Sequence, residues 1–146
     1  MEFYRIANCI DYEENLVAKP VIEVTLINPL TSYKATYRIP IDTGFAGYIM
    51  VTHEIYQKFS SLELPPTSFL TYTTVIGRVT LKRSRVIAKI FNRKIETFIE
   101  TPILWPGKLL LGRRILNQID LAMLGTKLKL CLLAEKETNL TKLEER

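Results

Sequence analysis

The chain of 146 residues has one histidine, two cysteines and three aspartates. Each shortage excludes something. A lone His53 cannot build a histidine-rich zinc site, and any Ser-His or Cys-His triad would have to take it as the base. It lies in "VTHEIYQKFS". That stretch reads as a short helix from His53 to about Ser60, capped by Thr52, with Ile55 and Phe59 turned inward. His53 is then a first-turn surface residue rather than a base. Cys9 and Cys131 have mostly apolar neighbours, and they read as two small buried hydrophobes rather than a disulfide or a redox pair. No apolar run reaches the roughly 18 residues needed to span a bilayer. The opening "MEFYRIANCIDYEEN" mixes in acids early and lacks a basic-then-apolar leader pattern. The expectation is a cytoplasmic protein with no membrane span.

What is present is an ordinary globular balance, with 47% hydrophobic and 24% charged residues. The length suits one domain over 1–146, with a charged tail at 134–146 that frays or forms a marginal helix. The net charge is +5. Much of it comes from Arg78 to Lys94, where seven basic residues meet no acid. Alternation with Val79, Leu81 and Ile87 predicts a half-buried strand whose charges line its wet face. The alternative is a patch for an acidic partner such as nucleic acid. That stretch has only Phe91 for base stacking, so nucleic acid is the weaker reading.

The rest of the chain reads mostly as strands. "VIEVTLINP" is alternating and β-branched, with a turn at Asn28 and Pro29. "YKATYRIPID" returns as a second strand ending at Asp42. "ELPPTS" closes the His53 helix. "FLTYTTVIGRVTL", "RVIAKIF" and "KIETFIET" follow, with a turn at Asn92 and Arg93 and another in "LWPGK". "LLLGRRILNQIDLAML" begins as a strand and becomes a helix after Gly112, with Ile115, Leu116 and Ile119 as its apolar stripe. "TKLKLCLL" is a last alternating strand. The fold class is all-β with two short helices.

Between Ile39 and Val51 the sequence "IPIDTGFAGYIMV" sets one carboxylate, Asp42, among residues that look like core. Asp42 is either a turn residue or a reagent. Thr43 offers a hydroxyl beside it. Gly44 allows a tight turn with exposed backbone N–H groups that can orient the carboxylate. A lone carboxylate is a modest catalyst. Two facing carboxylates share a proton, so that one activates water while the other polarises a carbonyl.

The segment "LLLGRRILNQI", Leu109 to Ile119, together with Asp42-Thr43-Gly44, resembles the retroviral-type aspartic proteases, the retropepsins. Their closing segment has two apolar residues and a glycine leading into a helix of the form Gly-Arg-x-Leu-Leu-x-Gln-Ile. Gly112, Arg113, Leu116, Gln118 and Ile119 match, and Ile115 stands for a leucine. Phe45-Ala46-Gly47 and the helix at His53 look more like cellular and prokaryotic members than viral ones. The resemblance covers roughly 21–133. It implies a closed β-domain with one short helix after the catalytic loop and one near the C-terminus. Asp42 would be the catalytic carboxylate, Thr43 would hydrogen-bond across a subunit interface, and Gly44 would present N–H groups. Leu110, Leu111 and Gly112 would support the loop from beneath. Thr74, Val75, Ile76 and Gly77 would form the flap over a peptide substrate, with Gly77 as tip or hinge. No cofactor and no metal are implied. Two departures stand out. Viral members place an acid where this chain has Ala46, so Arg113 lacks its family partner, and the flap lacks a glycine-rich tip.

The aspartates are Asp11, Asp42 and Asp120, and only Asp42 precedes Thr-Gly. A two-lobed enzyme with two such loops cannot be built from this chain. A dyad therefore implies a homodimer about a two-fold axis. The apolar strand "TKLKLCLL", with Leu128, Leu130 and Leu132 on one side, is expected as an edge strand in that interface. Three functions follow: an aspartic endopeptidase, a catalytically inactive dimer that binds peptides or serves assembly, and, less favoured, the nucleic-acid-binding β-domain.

Overall fold

The computed structural model describes residues 3–14 and 16–135. These form two compact units: 21–118, and a second built from the segments before residue 21 and after residue 118.

The larger unit is a β-sheet with short helices. Strands β2 (Val21–Ile27) and β3 (Lys34–Pro40) pair antiparallel in register from Val21↔Pro40 to Ile27↔Lys34. The alternation read from the sequence sets Val24, Leu26 and Ile39 into the core, each fully buried. Asn28 makes the turn between them. Its Oδ1 accepts from the Leu30 N–H at 3.0 Å, and its Nδ2 donates to Ser61 Oγ at 2.8 Å. Strand β4 (Ile49–Met50) leads to helix α1 (His53–Phe59), where Thr52 Oγ1 accepts from the Ile55 N–H as the expected cap. Tyr56, not Ile55, joins Phe59 in the core. The helix turns Ile55 only half inward. His53 is half-buried rather than a surface residue, and its Nε2 sits 2.6 Å from the Pro102 carbonyl oxygen.

Strands β5 (Leu70–Thr74), β6 (Gly77–Ile90) and β7 (Arg93–Pro102) follow. The two strands expected between residues 69 and 91 form one hairpin whose second arm, β6, runs unbroken. Its pairing with β7 continues from Leu81↔Pro102 to Ile90↔Arg93. The turn lies at Phe91 and Asn92, one residue earlier than expected. Both adopt positive φ, 48° and 67°, as a two-residue hairpin turn with the twist of its strands requires. Along β6 the basic residues do line the wetter positions. The buried face changes parity, from Leu81 to Ser84, Val86, Ala88 and Ile90, which leaves Ile87 half-buried on the other side. Strand β8 (Leu110–Leu111) and helix α2 (Arg113–Leu116) complete the unit. The strand order is β3-β2-β6-β7-β4-β8, with β5 on β6. Helix α2 is a single turn closed by Asn117, so Ile119 of the expected stripe lies beyond it.

The smaller unit is a three-stranded sheet in the order β1-β10-β9, from β1 (Tyr4–Asp11), β9 (Leu121–Leu124) and β10 (Lys129–Glu135). Two expectations are corrected here. Strand β10 is not an edge strand: its main chain pairs with β1 on one side and β9 on the other. Leu130 is fully buried, and Leu128 adopts positive φ (49°) before the strand begins, so it does not share a face with Leu130 and Leu132. The cysteines are not separate hydrophobes. Cys9 and Cys131 stand directly opposite on β1 and β10, with Cα atoms 4.1 Å apart, and form a disulfide. Cys131 is fully buried, as expected, whereas Cys9 is half-buried on a mostly exposed strand. The missing information was the pairing of two strands 122 positions apart. Asp11 caps the same ladder, its carboxylate held below the usual range by a 2.7 Å hydrogen bond from the Lys129 ammonium. Of the expected frayed tail, 134–135 belong to β10, and 136–146 lie outside the described residues. No helix among the described residues is long and apolar enough to cross a membrane.

Candidate active site

Asp42 follows β3 and is half-buried, with Thr43 and Gly44 exposed beside it. The Gly44 N–H donates to Asp42 Oδ1 at 2.9 Å, and the Phe45 N–H donates to the Asp42 carbonyl at 3.2 Å. The carboxylate is thus held by its own turn. A Cβ on Gly44 would lie 3.1 Å from that same oxygen and crowd it.

The loop is braced from β8. Leu111 bridges Ile41 in parallel and Ile49 antiparallel, so one fully buried leucine is gripped by both ends of the loop. The Leu111 carbonyl accepts from the Asp42 N–H at 3.0 Å. Helix α2 then supplies the donors that every helix start leaves unpaired. Gly112 N–H donates to Tyr48 O at 2.7 Å, Arg113 N–H to Phe45 O at 2.9 Å, and Arg114 N–H to Gly47 O at 3.1 Å. Gly112 has no Cβ because one would strike the Gly47 carbonyl and the Phe45 ring. Leu111 and Gly112 thus meet the Asp42 loop through main-chain bonds, and Leu110 packs beside the cluster of Phe45, Met50 and Leu81.

The hairpin of β5 and β6 stands over the same cluster. Its tip is Val75 and Ile76, both almost fully exposed, rather than Gly77. Gly77 opens β6 with φ at 129°, a conformation that favours glycine. Thr74 Oγ1 donates to the Gly77 carbonyl at 2.7 Å and accepts from the Ile76 N–H at 3.3 Å, closing the turn. Beneath it, Phe45, Met50, Tyr72, Val79, Leu81 and Trp105 line an apolar cavity of about 50 Å³.

Four residues not foreseen from the sequence join the loop to the hairpin. Glu100 on β7 is fully buried. Its Oε1 accepts from the Tyr48 N–H at 2.6 Å and its Oε2 accepts from Tyr72 Oη, on β5, at 2.8 Å. Burial pushes its carboxyl above the ordinary range, against the two hydrogen bonds and the positive charges of Arg83 and Arg114. Burial also raises the Tyr72 phenol, with the Glu100 charge adding to it. Arg114, rather than Arg113, reaches back to the loop. Its guanidinium donates to Tyr48 Oη at 3.2 Å and lies over the Tyr48 ring, and that hydrogen bond lifts the arginine further above its usual value. The Glu100 signal in the sequence was a charge inside "FIETPIL", but Glu96, four residues earlier on β7, is exposed, so alternation alone did not separate the two.

No family model matches the chain, and no curated protein matches it. A solved structure of a retropepsin-like aspartic protease from Rickettsia conorii aligns over 94% of this chain and 97% of its own, at 16% identity and a TM-score of 0.57. The chain has a retropepsin-like fold. The EIAV protease complexed with the inhibitor HBY-793 also aligns, over 73% of this chain and 92% of its own, at 20% identity and a TM-score of 0.49. Within this retropepsin-like fold, Asp42 lies on the loop between β3 and β4, braced by β8 and α2, with the hairpin tip at residues 75–76.

Proposed function

We propose that the chain is a homodimeric aspartic endopeptidase, with Asp42 as its catalytic carboxylate. The observation that supports this most is the double restraint on Asp42 within a retropepsin-like fold: Gly44 N–H on the carboxylate and Leu111 O on its backbone. A reagent carboxylate needs such fixing. The Gly44 bond alone is the common two-residue aspartate turn, as at Asn28, and the Leu111 brace from β8 is what adds to it. With one Asp-Thr-Gly per chain, the second carboxylate comes from a second copy about a two-fold axis. Two carboxylates roughly 3 Å apart cannot both ionise readily, so the pair keeps one proton. The ionised member takes a proton from water, the water attacks the peptide carbonyl, and the protonated member donates to the carbonyl oxygen. Collapse of the tetrahedral species returns the proton to the leaving amine. Thr43, exposed in the isolated chain, would bond across the interface. Thr74 to Gly77 would close over the peptide. Both units belong to this one protease domain.

The Cys9–Cys131 disulfide weighs against the cytoplasmic location read from the sequence, because such bridges persist in oxidising compartments. The deciding experiment is cleavage of a denatured protein in mildly acid buffer, wild type beside Asp42→Asn. Asparagine keeps the shape and cannot act as base. Cleavage by wild type alone is expected. Equal turnover by Asp42→Asn would remove the dyad, and inactivity of both with a stable dimer would favour a binding module.

A further inference from the structure

Glu100 is an unusual residue to find beneath this loop. It is fully buried, yet no ion pair reaches it among the described residues. The two cations near it are committed elsewhere. Arg83 is its direct cross-strand partner on β6, but the Arg83 Nε–H donates to the Ser68 carbonyl at 2.9 Å and the guanidinium lies 4.6 Å from the centre of the Phe98 ring. Arg114 on α2 is turned to Tyr48 Oη. From β5 the facing group is the Tyr72 phenol, and from the loop it is the Tyr48 amide. The parallel neighbour on β4 is Met50, which carries no charge. A charged carboxylate so placed has two donors where water would offer more, and a neutral carboxyl suits the site better.

The covering group is Tyr72, and Tyr72 belongs to the hairpin. Its ring packs edge-on against Phe45 with centroids 5.5 Å apart, three residues after Asp42. Were the hairpin to lift, the Tyr72 hydroxyl would leave Glu100 and water would replace it. The open hairpin would then suit the carboxylate and the closed hairpin the acid, because the burial that closure imposes outweighs the Tyr72 hydrogen bond, which by itself favours the charged form. Whatever state holds the proton more tightly is the state that acid favours.

We propose that Glu100 is a positioning residue whose carboxyl latches the hairpin to the Asp42 loop in its protonated form, so that acid closes the hairpin and deprotonation releases it. The proton comes from solvent and returns to solvent, and no bond other than O–H is made or broken. In the closed state Glu100 donates its proton to the Tyr72 oxygen or accepts from the Tyr72 hydroxyl, while its other oxygen keeps the Tyr48 N–H. The use of this latch in peptide cleavage rests on the function proposed above. The latch itself does not.

The test is hydrogen exchange of the amides at 70–80, expressed as protection relative to the free peptide, from about pH 4 to about pH 8. Wild-type protection should fall as pH rises through the Glu100 titration, by up to about tenfold per pH unit. Glu100→Gln keeps the size and stays neutral, so its protection should hold its acid value across the range. Tyr72→Phe removes only the hydroxyl and should lose protection even in acid. The Tyr48 amide proton shift should titrate with the same midpoint in wild type. Wild-type protection that is constant with pH, or that rises, overturns the proposal. So does a wild-type slope that survives in Glu100→Gln. If Glu100→Gln does not fold, the wild-type slope and the Tyr72→Phe loss decide between the same two answers. In cleavage assays wild type should show a rise in KM at the alkaline end that Glu100→Gln lacks. A wild type that cleaves nothing yet shows the exchange slope would defeat the protease reading and leave the latch standing.

Discussion

The backbone N–H of Asp42 donates to the carbonyl oxygen of Leu111 across 3.0 Å, so the candidate reagent hangs from a residue 69 positions later that has no solvent exposure. Truncating that residue empties the space between Ile41 and Ile49. Leu111→Ala should lower stability by about 2–5 kcal/mol, the usual range for a buried leucine. The cleavage activity should fall by more than the folded fraction does, because the loop loses its seat. Urea unfolding followed by circular dichroism, beside a cleavage assay on the folded fraction, checks both parts.

Gly112→Ala is the smaller change with the less forgiving contact. Its methyl would meet the Gly47 carbonyl, a main-chain atom that also accepts from the Arg114 N–H. Either α2 withdraws or the loop does. A loss of about 1–3 kcal/mol is expected, as for overpacking of a closed site. A melting temperature equal to wild type would show that α2 and the loop can separate freely.

Stability should depend on pH through Glu100. Burial raises its folded-state pKa above the ordinary 4.5 of the unfolded chain. The folded state then binds the proton more readily, and the Glu100 contribution is fully present below about 4.5. It is lost as pH rises through the folded pKa. Glu100→Gln lacks that slope. Its stability relative to wild type should improve with rising pH by up to ~1.4 kcal/mol per unit within that window. Urea midpoints of both proteins on either side of the window give the comparison, and parallel curves would count against it.

The shared dyad has its own signature. Wild-type and Asp42→Asn chains unfolded together in equal amounts and refolded should give about one quarter fully intact dimers and about half mixed ones. A mixed site has one carboxylate facing an amide and cannot divide the acid and base roles. Activity per wild-type chain should fall to about half. Unchanged activity, with mixed dimers confirmed by mass spectrometry, would leave each Asp42 working alone.

Replacing both Cys9 and Cys131 by alanine should lower stability by about 2–4 kcal/mol, the usual worth of a bridge that closes a long loop. The loss should appear equally on adding reductant to wild type. Thermal unfolding with and without reductant is sufficient to see it.

The parts legible in the sequence were those written in short contiguous stretches. Asp42-Thr43-Gly44 and Leu110-Leu111-Gly112 are local patterns, and the structure brings them into main-chain contact. The Thr52 cap and the Asn28 turn were readable for the same reason. What stayed hidden depends on residues far apart. Nothing near Glu100 announces Tyr48 or Tyr72, and period-two alternation treats it like the exposed Glu96. Strand β9 was read as helix because Leu121 to Leu124 follows directly on a helical stripe, and its strand state comes from pairing with β10. The bridge of Cys9 to Cys131 is invisible until β1 is known to lie on β10.

That bridge also changes how damage to the chain would look. It joins positions 122 apart, so the polypeptide between them is a covalent ring. One cut in a ring does not release a piece. If this protein cuts itself or is cut anywhere from Ile10 to Leu130, the halves stay attached and migrate as one band until a thiol is added. An intact-looking preparation under non-reducing conditions can therefore be a nicked one. Only the reduced lane shows how many chains are whole.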